Sequence, residues 1–491
     1  MPEHLRALII IFILAGVVFS FAKKQSAELV DLQTLNRWRS TWFGLTLLAF
    51  LAHNFWLYML GAALFLSFIG KRELNKVALF FLTLFLVPAA AVEIPGFGII
   101  NFLFSIDHVV LLELVVLLPV FVYLQGRGDT VRFGGLLTDK IVAAYIVVMA
   151  LIQFRDATVT GVMRDLFYLF ANVFLPYFVI SRSVKTIKDF RGALLAFAIA
   201  LMVLAAIGVF EFLKSWLLYK SLLGALGLQW GYSGYLGRSD MLRAQATTGQ
   251  PIAFGYLMVV GLGLMLYLKE YIPSKFAGRA SLALMTGGLV ASLSRGPWVG
   301  AAVMIFAFTA SGPDAIRRLV RLMIVSLLVF ATFAMLPGGE LVIDLLPWIG
   351  TVEKGGIEYR ERIFDGSLIA IMRNPLFGAA DFTKYPEMQA LMQGEGIIDI
   401  VNTYMLVALQ YGLVILGLFV ALFVLIIIGV FKKMRQLPGD EGEKKLIGRA
   451  LFAILIGIMA TISTVSNITV ISVVYWSVAG LGVAYMQMCR R

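Results

Sequence analysis

The sequence predicts an all-α, polytopic membrane protein, and three observations carry that prediction. Of 491 residues, 60% are hydrophobic and 14% are charged, against roughly 45–50% and about 25% in soluble globular chains. The mean hydropathy is +0.90. The apolar runs are unbroken and near the ~20 residues that a helix needs to cross a hydrocarbon core about 30 Å thick. In lipid, backbone groups are satisfied only within helices or closed barrels. Barrel strands alternate polar and apolar residues in segments of about ten, a pattern these runs lack.

In chain order, about fourteen spans are predicted near 5–22, 43–69, 77–92, 108–125, 140–154, 165–181, 192–212, 251–268, 280–293, 298–311, 319–336, 400–430, 447–463 and 468–487. The first resembles a signal peptide ending at Ser20-Phe21-Ala22 and is taken as a retained anchor. Loops rich in Lys and Arg mark the cytoplasmic side. Four such loops carry Lys71, Arg72 and Lys76; Arg182, Lys185, Lys188 and Arg191; Arg317, Arg318 and Arg321; and Lys432, Lys433, Arg435, Lys444 and Lys445. A count of fourteen puts all four on one side and turns both termini inward. It also leaves Lys23, Lys24, Arg37 and Arg39 outside. The near-helical spacing of Leu29, Leu32, Leu35 and Trp38 then predicts an interfacial amphipathic helix over 23–41; thirteen spans is the alternative. The organisation is N-terminal spans over 1–212, a long outer loop over 213–250, central spans over 251–336, a second outer loop over 337–399 and C-terminal spans over 400–491. The amphipathic stretch Glu361 to Met372 predicts short helices in the second loop.

Composition also excludes. The net charge of +12 is scattered through short loops, without the basic domain or aromatic-basic motif of a nucleic-acid binder. The single cysteine, Cys489, rules out an intrachain disulfide, and His4, His53 and His108 lack ligand spacing. No metal or cofactor site is expected. His53 and Asn54 fall inside an apolar run, as do Glu113 and Glu211. Such groups bond neighbouring helices or serve function. Asp107 and His108 open a span, where acid–base chemistry is conceivable.

The chemistry points to arginine. Arg238 and Arg243 close the first long loop, Arg295 sits in Leu293-Ser294-Arg295-Gly296-Pro297, and Arg360, Arg362 and Arg373 lie in the second loop. Arginine runs against the positive-inside tendency on that side. Its planar fork holds two phosphate oxygens and never deprotonates. Snorkelling to lipid head groups or pairing with Asp240, Glu361 and Asp365 is the competing explanation for each one. As a set drawn from three segments, they predict an anion site. Gly296 permits a tight reversal and Pro297 suits a first helical turn, which would hold Arg295 near the membrane plane.

Four passages resemble the O-antigen ligase and O-antigen polymerase superfamily of bacterial membrane glycan enzymes. They are Arg243 to Pro251; Ser294-Arg295-Gly296; Tyr359-Arg360 to Phe364, leading to Asn374-Pro375-Leu376-Phe377-Gly378; and Asp399-Ile400-Val401-Asn402-Thr403-Tyr404, leading to Tyr411-Gly412-Leu413. The resemblance covers 240–425 and implies a GT-C-like helical glycosyltransferase in the bacterial inner membrane, active on the periplasmic face. Its donor would be a glycan on undecaprenyl diphosphate, without metal or nucleotide sugar. It implies lipid-linked oligosaccharides and membrane lipids as partners, and admits a chain-length regulator. By analogy Arg243, Arg295 and Arg360, with Arg238 and Arg362, would bind the diphosphate. Arg243 and Arg295 would stabilise its departure.

One position departs from the family pattern. Its ligases carry His before the Asn of the fourth passage, where this chain has Val401. Valine takes no proton, so a base would be Asp399, then Glu395, with Asn402 and Tyr404 as further candidates; a helix-capping role competes for Asp399. The missing His favours polymerase over ligase. A lipid-linked sugar flippase is the alternative from another class. It would show repeated halves and charged spans, whereas here charge concentrates in two outer loops.

Overall fold

The computed structural model describes residues 1–491 except 27, 99, 129, 156–157, 230, 232–233, 239, 336–353, 393–397, 467–468 and 491. The chain is mostly helical. Its elements are α1 (Glu3–Gln25), α2 (Leu32–Leu51), α3 (Phe55–Arg72), α4 (Lys76–Thr83), a hairpin of β1 (Val92–Pro95) and β2 (Phe102–Ile106), α5 (His108–Gln125), α6 (Leu137–Gln153), α7 (Val159–Ser183), α8 (Ile187–Lys214) and α9 (Lys220–Ala225). There follow a hairpin of β3 (Gly237–Arg238) and β4 (Met241–Leu242), α10 (Pro251–Leu268), α11 (Lys275–Ala291), α12 (Arg295–Ala310), α13 (Ala315–Met335), α14 (Lys354–Arg373), α15 (Pro386–Gln389), α16 (Thr403–Gln436), α17 (Gly442–Ile462) and α18 (Thr469–Met488). Among the described residues, eight helices are long and apolar enough to cross a membrane, as in a multi-pass membrane protein.

Two ends of the bundle are defined by contacts. At one, Arg191 meets Glu443 through Nε at 2.7 Å and Nη2 at 2.5 Å, and Tyr267 donates to the same carboxylate. Gln487 donates to the Ser181 carbonyl. The Arg182 guanidinium pairs with Asp139, both within 1% of complete burial. This is the basic end. At the other, the long-loop end, Trp216 donates to Glu3 at 2.9 Å and the His4 ring lies 5.1 Å from that of His53.

These contacts correct the predicted topology. The apolar run 43–69 is two helices, parted at Ala52–Asn54, where the Asn54 side chain caps α3 by accepting from Trp56 and Leu57 N–H. His53 and Asn54 therefore form a turn, not polar groups within a span. Residues 32–41 are the first half of α2, with Trp38 buried and donating to Glu73, not an interfacial helix. Arg37 lies 3.8 Å from Glu73, so the basic stretch 23–39 joins Lys71 and Arg72 at the basic end. The extra helix moves the N-terminus to the long-loop end, opposite the C-terminus.

A second departure is at 77–92, where α4 stops at Thr83. Pro88 disfavours helical backbone at Val87. The Thr83 carbonyl instead accepts from His108 Nε2 at 2.8 Å, while Tyr58 donates to His108 Nδ1 at 2.7 Å. Asp107 caps α5 through the Val110 N–H. That residue pair is thus engaged in framework bonds. Proline also explains two π-helical turns, Glu113–Leu117 in α5 and Leu169–Phe174 in α7. Pro119 and Pro176 lack an N–H and would clash with the carbonyls four residues earlier, and a widened turn moves those carbonyls away.

The helix order predicts sidedness. In a Cys489→Ser background, Lys24→Cys and Lys71→Cys should react with an impermeant maleimide from one membrane face, and His53→Cys and Asp381→Cys from the other. Labelling of Lys24→Cys and His53→Cys from the same face would break the order.

Candidate functional site

The site begins with a buried carboxylate. Glu211, near the C-terminal end of α8, is fully buried. One oxygen accepts from Leu218 N–H (3.1 Å), the other from Gln245 N–H (3.1 Å) and Ala246 N–H (2.9 Å). It bonds loop backbone rather than a neighbouring helix. Residues 244–249 lie buried in the bundle, and the Thr247 hydroxyl donates to the Phe85 carbonyl at 3.0 Å. Pro251 then opens α10. Glu113 differs: both its oxygens are buried without a hydrogen-bond partner among the described residues.

The segment that Glu211 anchors carries the hairpin of β3 and β4. Helix α11 ends at Ala291 and Leu293 adopts a left-handed conformation (φ 44°). This leaves carbonyls that a continuing helix would have used. The hairpin strand and its arginines take three in succession: Ala244 N–H bonds the Ala291 carbonyl at 2.9 Å, Arg243 Nε the Ser292 carbonyl at 3.3 Å, and Arg238 Nη1 the Leu293 carbonyl. Arg243 Nη2 also meets the Ser294 hydroxyl at 2.9 Å. The next residue, Arg295, begins α12, half-buried. Arg238 and Arg243 are thereby tied to the turn that presents Arg295.

Arg295 is placed by its neighbour. A Cβ on Gly296 would lie 2.1 Å from Thr464 Oγ1, and one on Gly300 would lie 1.9 Å from Thr461 Oγ1. This Gly-x-x-x-Gly face lets α12 press against α17, as small residues do between membrane helices. It brings Arg295 beside the 463–466 connection, where Ser466 donates to Asp399 at 2.9 Å and Thr403 donates to the Val465 carbonyl at 2.8 Å. Asp399 is exposed. Helix α16 is capped by Asn402, which accepts from Tyr404 and Met405 N–H, so the capping role does not fall to Asp399. The Tyr404 hydroxyl donates to the Met459 carbonyl, giving Asn402 and Tyr404 framework bonds. Glu395 lies outside the described residues.

Arg360 and Arg362 stand exposed on a separate element, α14, and Arg373 pairs with Glu387 at 2.7 Å. The end of α14 is fixed by an insertion that the sequence did not disclose. Helix α16 breaks at Gly412 (φ 81°, ψ 176°). Backbone of 375–379 enters the break: Ala379 N–H bonds the Leu409 carbonyl, and Leu413 N–H the Pro375 carbonyl at 2.7 Å. A Cβ on Gly412 would lie 2.2 Å from the Leu376 carbonyl oxygen and one on Gly378 2.6 Å from that of Leu409. Arg155 donates to the Phe377 and Gly378 carbonyls. The signal was present in two glycines, Gly378 and Gly412, within the third and fourth passages, but nothing in their spacing said that they meet.

Residues 280–420 match the family model described as O-antigen ligase, which supports the O-antigen ligase and polymerase superfamily over that segment. No curated protein matches the chain. The matched segment holds Arg295, Arg360, Arg362, Asp399 and Asn402; Arg238, Arg243 and Glu211 lie before it.

Glu211→Ala leaves three buried N–H groups without their acceptor, at about 1–3 kcal/mol each. The expected outcome is a marked fall in Tm in detergent, with a smaller fall for Glu211→Gln, which keeps one carbonyl oxygen. A Tm unchanged in Glu211→Ala would show that the carboxylate does not anchor this loop.

Proposed function

We propose that the protein is a membrane glycosyltransferase that polymerises undecaprenyl-diphosphate-linked oligosaccharide units into a surface polysaccharide, O-antigen or exopolysaccharide. The reaction takes place at the long-loop end, on the periplasmic face of a bacterial inner membrane. One observation carries this: Arg238 and Arg243 are bonded to the same turn, 292–294, that leads into Arg295. Fixed guanidinium groups suit a diphosphate, and the family match over 280–420 supports a glycosyltransferase-like enzyme.

In this mechanism an acceptor hydroxyl attacks the anomeric carbon of the donor glycan. The bond from that carbon to the diphosphate oxygen breaks, and the electron pair leaves with undecaprenyl diphosphate. Arg243 and Arg295 stabilise the charge that develops there, with Arg238, Arg360 and Arg362 as further diphosphate ligands. The acceptor proton passes to Asp399, an exposed carboxylate that accepts a hydrogen bond from Ser466. Removing one preorganised donor of this type typically costs about 10²–10³ in rate.

The family description favours a second reading, a ligase that moves glycan to a lipid acceptor such as lipid A core. Val401, where a ligase would carry His, favours the polymerase. Purified protein in lipid, given only undecaprenyl-diphosphate-linked repeat units, should yield longer lipid-linked glycans without added metal or nucleotide sugar. Product that requires lipid A core would make it a ligase. Arg295→Ala should lower turnover about 100-fold, and Arg295→Lys should not restore it, since the fork is lost. Asp399→Asn should lower turnover with donor binding retained; a full rate would remove Asp399 as the base.

A further inference from the structure

The basic end contains a cavity of about 680 Å³ between α12, α13, α16 and α17. Lys269, Arg318, Arg435, Lys445 and Arg449 line it, against one carboxylate, Glu270. It lies at the opposite end of the bundle from Arg295 and takes no part in the chemistry above.

Surface lysines at this end follow from topology alone, but the cavity is more than a basic surface. Arg449 is held within it: Nη2 donates to the Phe308 carbonyl at 2.9 Å, and the guanidinium stacks 4.2 Å from the centre of the Phe308 ring. Its Nε is buried with no hydrogen-bond partner among the described residues. Gly312 makes room for this placement, since a Cβ there would lie 2.3 Å from Arg449 Nη2. Arg318 bears on Arg449 with a charge of the same sign, and Glu270 with the opposite one, which leaves the lining with an excess of positive charge. Like charges gathered around a cavity repel each other, and an anion between them removes the cost.

Two helix starts add to the field. Ser311, Gly312 and Pro313, just before α13, and Gly442, the first residue of α17, also line the cavity. No side chain caps the start of α17. Backbone N–H groups and the positive end of a helix dipole favour phosphate, and the carboxylates at the start of α17 are engaged with cations of their own, Glu441 with Lys444 and Glu443 with Arg191. The apolar wall of Phe308, Met434 and Leu446 suits the glycerol and acyl root of a lipid.

We infer that this cavity is a second anion site, which takes a phosphate-bearing group at the membrane surface opposite the long loops. The ligand chemistry is an anionic phosphate group, supplied by an anionic phospholipid headgroup or by free phosphate.

The test uses the full protein in phosphatidylcholine nanodiscs. It is titrated with short-chain phosphatidylglycerol, with short-chain phosphatidylcholine as control, and separately with inorganic phosphate, reading Tm. A rise with phosphatidylglycerol alone assigns a lipid headgroup; a rise with phosphate as well assigns the free anion. The Arg318→Gln, Lys445→Gln double variant should weaken the apparent affinity at least ten-fold. These positions are chosen because Arg449 also holds the Phe308 carbonyl. The Lys24→Gln, Lys71→Gln double variant loses the same charge elsewhere at that end and should stay within two-fold of the native protein. No response to either ligand, or equal loss in the two double variants, overturns the site.

Discussion

Everything distinctive in this structure follows from one constraint: backbone that leaves the helix inside a membrane bundle must find its partners in protein. Each N–H or C=O left bare in hydrocarbon costs several kcal/mol. Continuous helices meet the constraint without help. Here α4 stops after two turns, α11 and α12 are parted by a left-handed residue, and α16 is broken in its first third. At each place a donor or acceptor arrives from far along the chain. His108 takes the carbonyl of Thr83, the hairpin arginines take the carbonyls just past the end of α11, and the 375–379 turn fills the gap at Gly412. Glu211 does the reverse for a loop, offering two oxygens to three N–H groups.

The same bonds give the candidate site its rigidity. An arginine on a flexible loop would have to be ordered around a diphosphate during the reaction, and that ordering subtracts from any electrostatic gain. Arg238 and Arg243 are ordered beforehand, by carbonyls that the fold needed to satisfy in any case. Structural and catalytic explanations of these arginines are therefore not rivals. A guanidinium has five N–H donors in a fixed fork, so a bond to a carbonyl can orient one edge for work at another. The close contact of Gly296 and Gly300 with α17 then sets how near Arg295 comes to the segment bonded to Asp399.

Much of the fold was legible because lipid imposes so strong a pattern on composition; the helical class and most helix positions were read from apolar runs alone. What failed was punctuation. The run 43–69 shows no break in hydropathy strong enough to outweigh its length, and the cap at Asn54 looks the same in sequence as a polar residue inside a span. Missing that turn reversed the N-terminus and made Lys23, Lys24, Arg37 and Arg39 an anomaly. With the turn in place they lie with the other basic loops, and no special interfacial helix is needed. For the site, residue type was suggestive: of the arginines that run against the charge rule, 238 and 243 bond the turn leading into 295, while 360 and 362 stand on a separate helix. Partners were not legible. Glu211 meets residues 34 and 35 positions away and Arg155 meets Gly378 across 223, separations at which one sequence carries no pairing signal.

Arginine is held in two ways in this bundle, by carboxylates and by main-chain carbonyls. Arg182 and Arg191 at the basic end and Arg373 in the outer loop are closed by carboxylates, Asp139, Glu443 and Glu387. A carboxylate cancels the charge that it holds, so those pairs fasten helices and contribute little field. Arg155, Arg164, Arg238 and Arg243 at the long-loop end, and Arg449 at the basic end, are bound to main-chain carbonyls. A carbonyl carries only a partial charge, so each such bond fixes the guanidinium in place without removing its net charge. At 292–293, carbonyls left over from a broken helix therefore give the fold a means of orienting the guanidinium groups of Arg238 and Arg243. For the anionic leaving group of the proposed reaction, a guanidinium fixed in position is what the interruption between α11 and α12 offers.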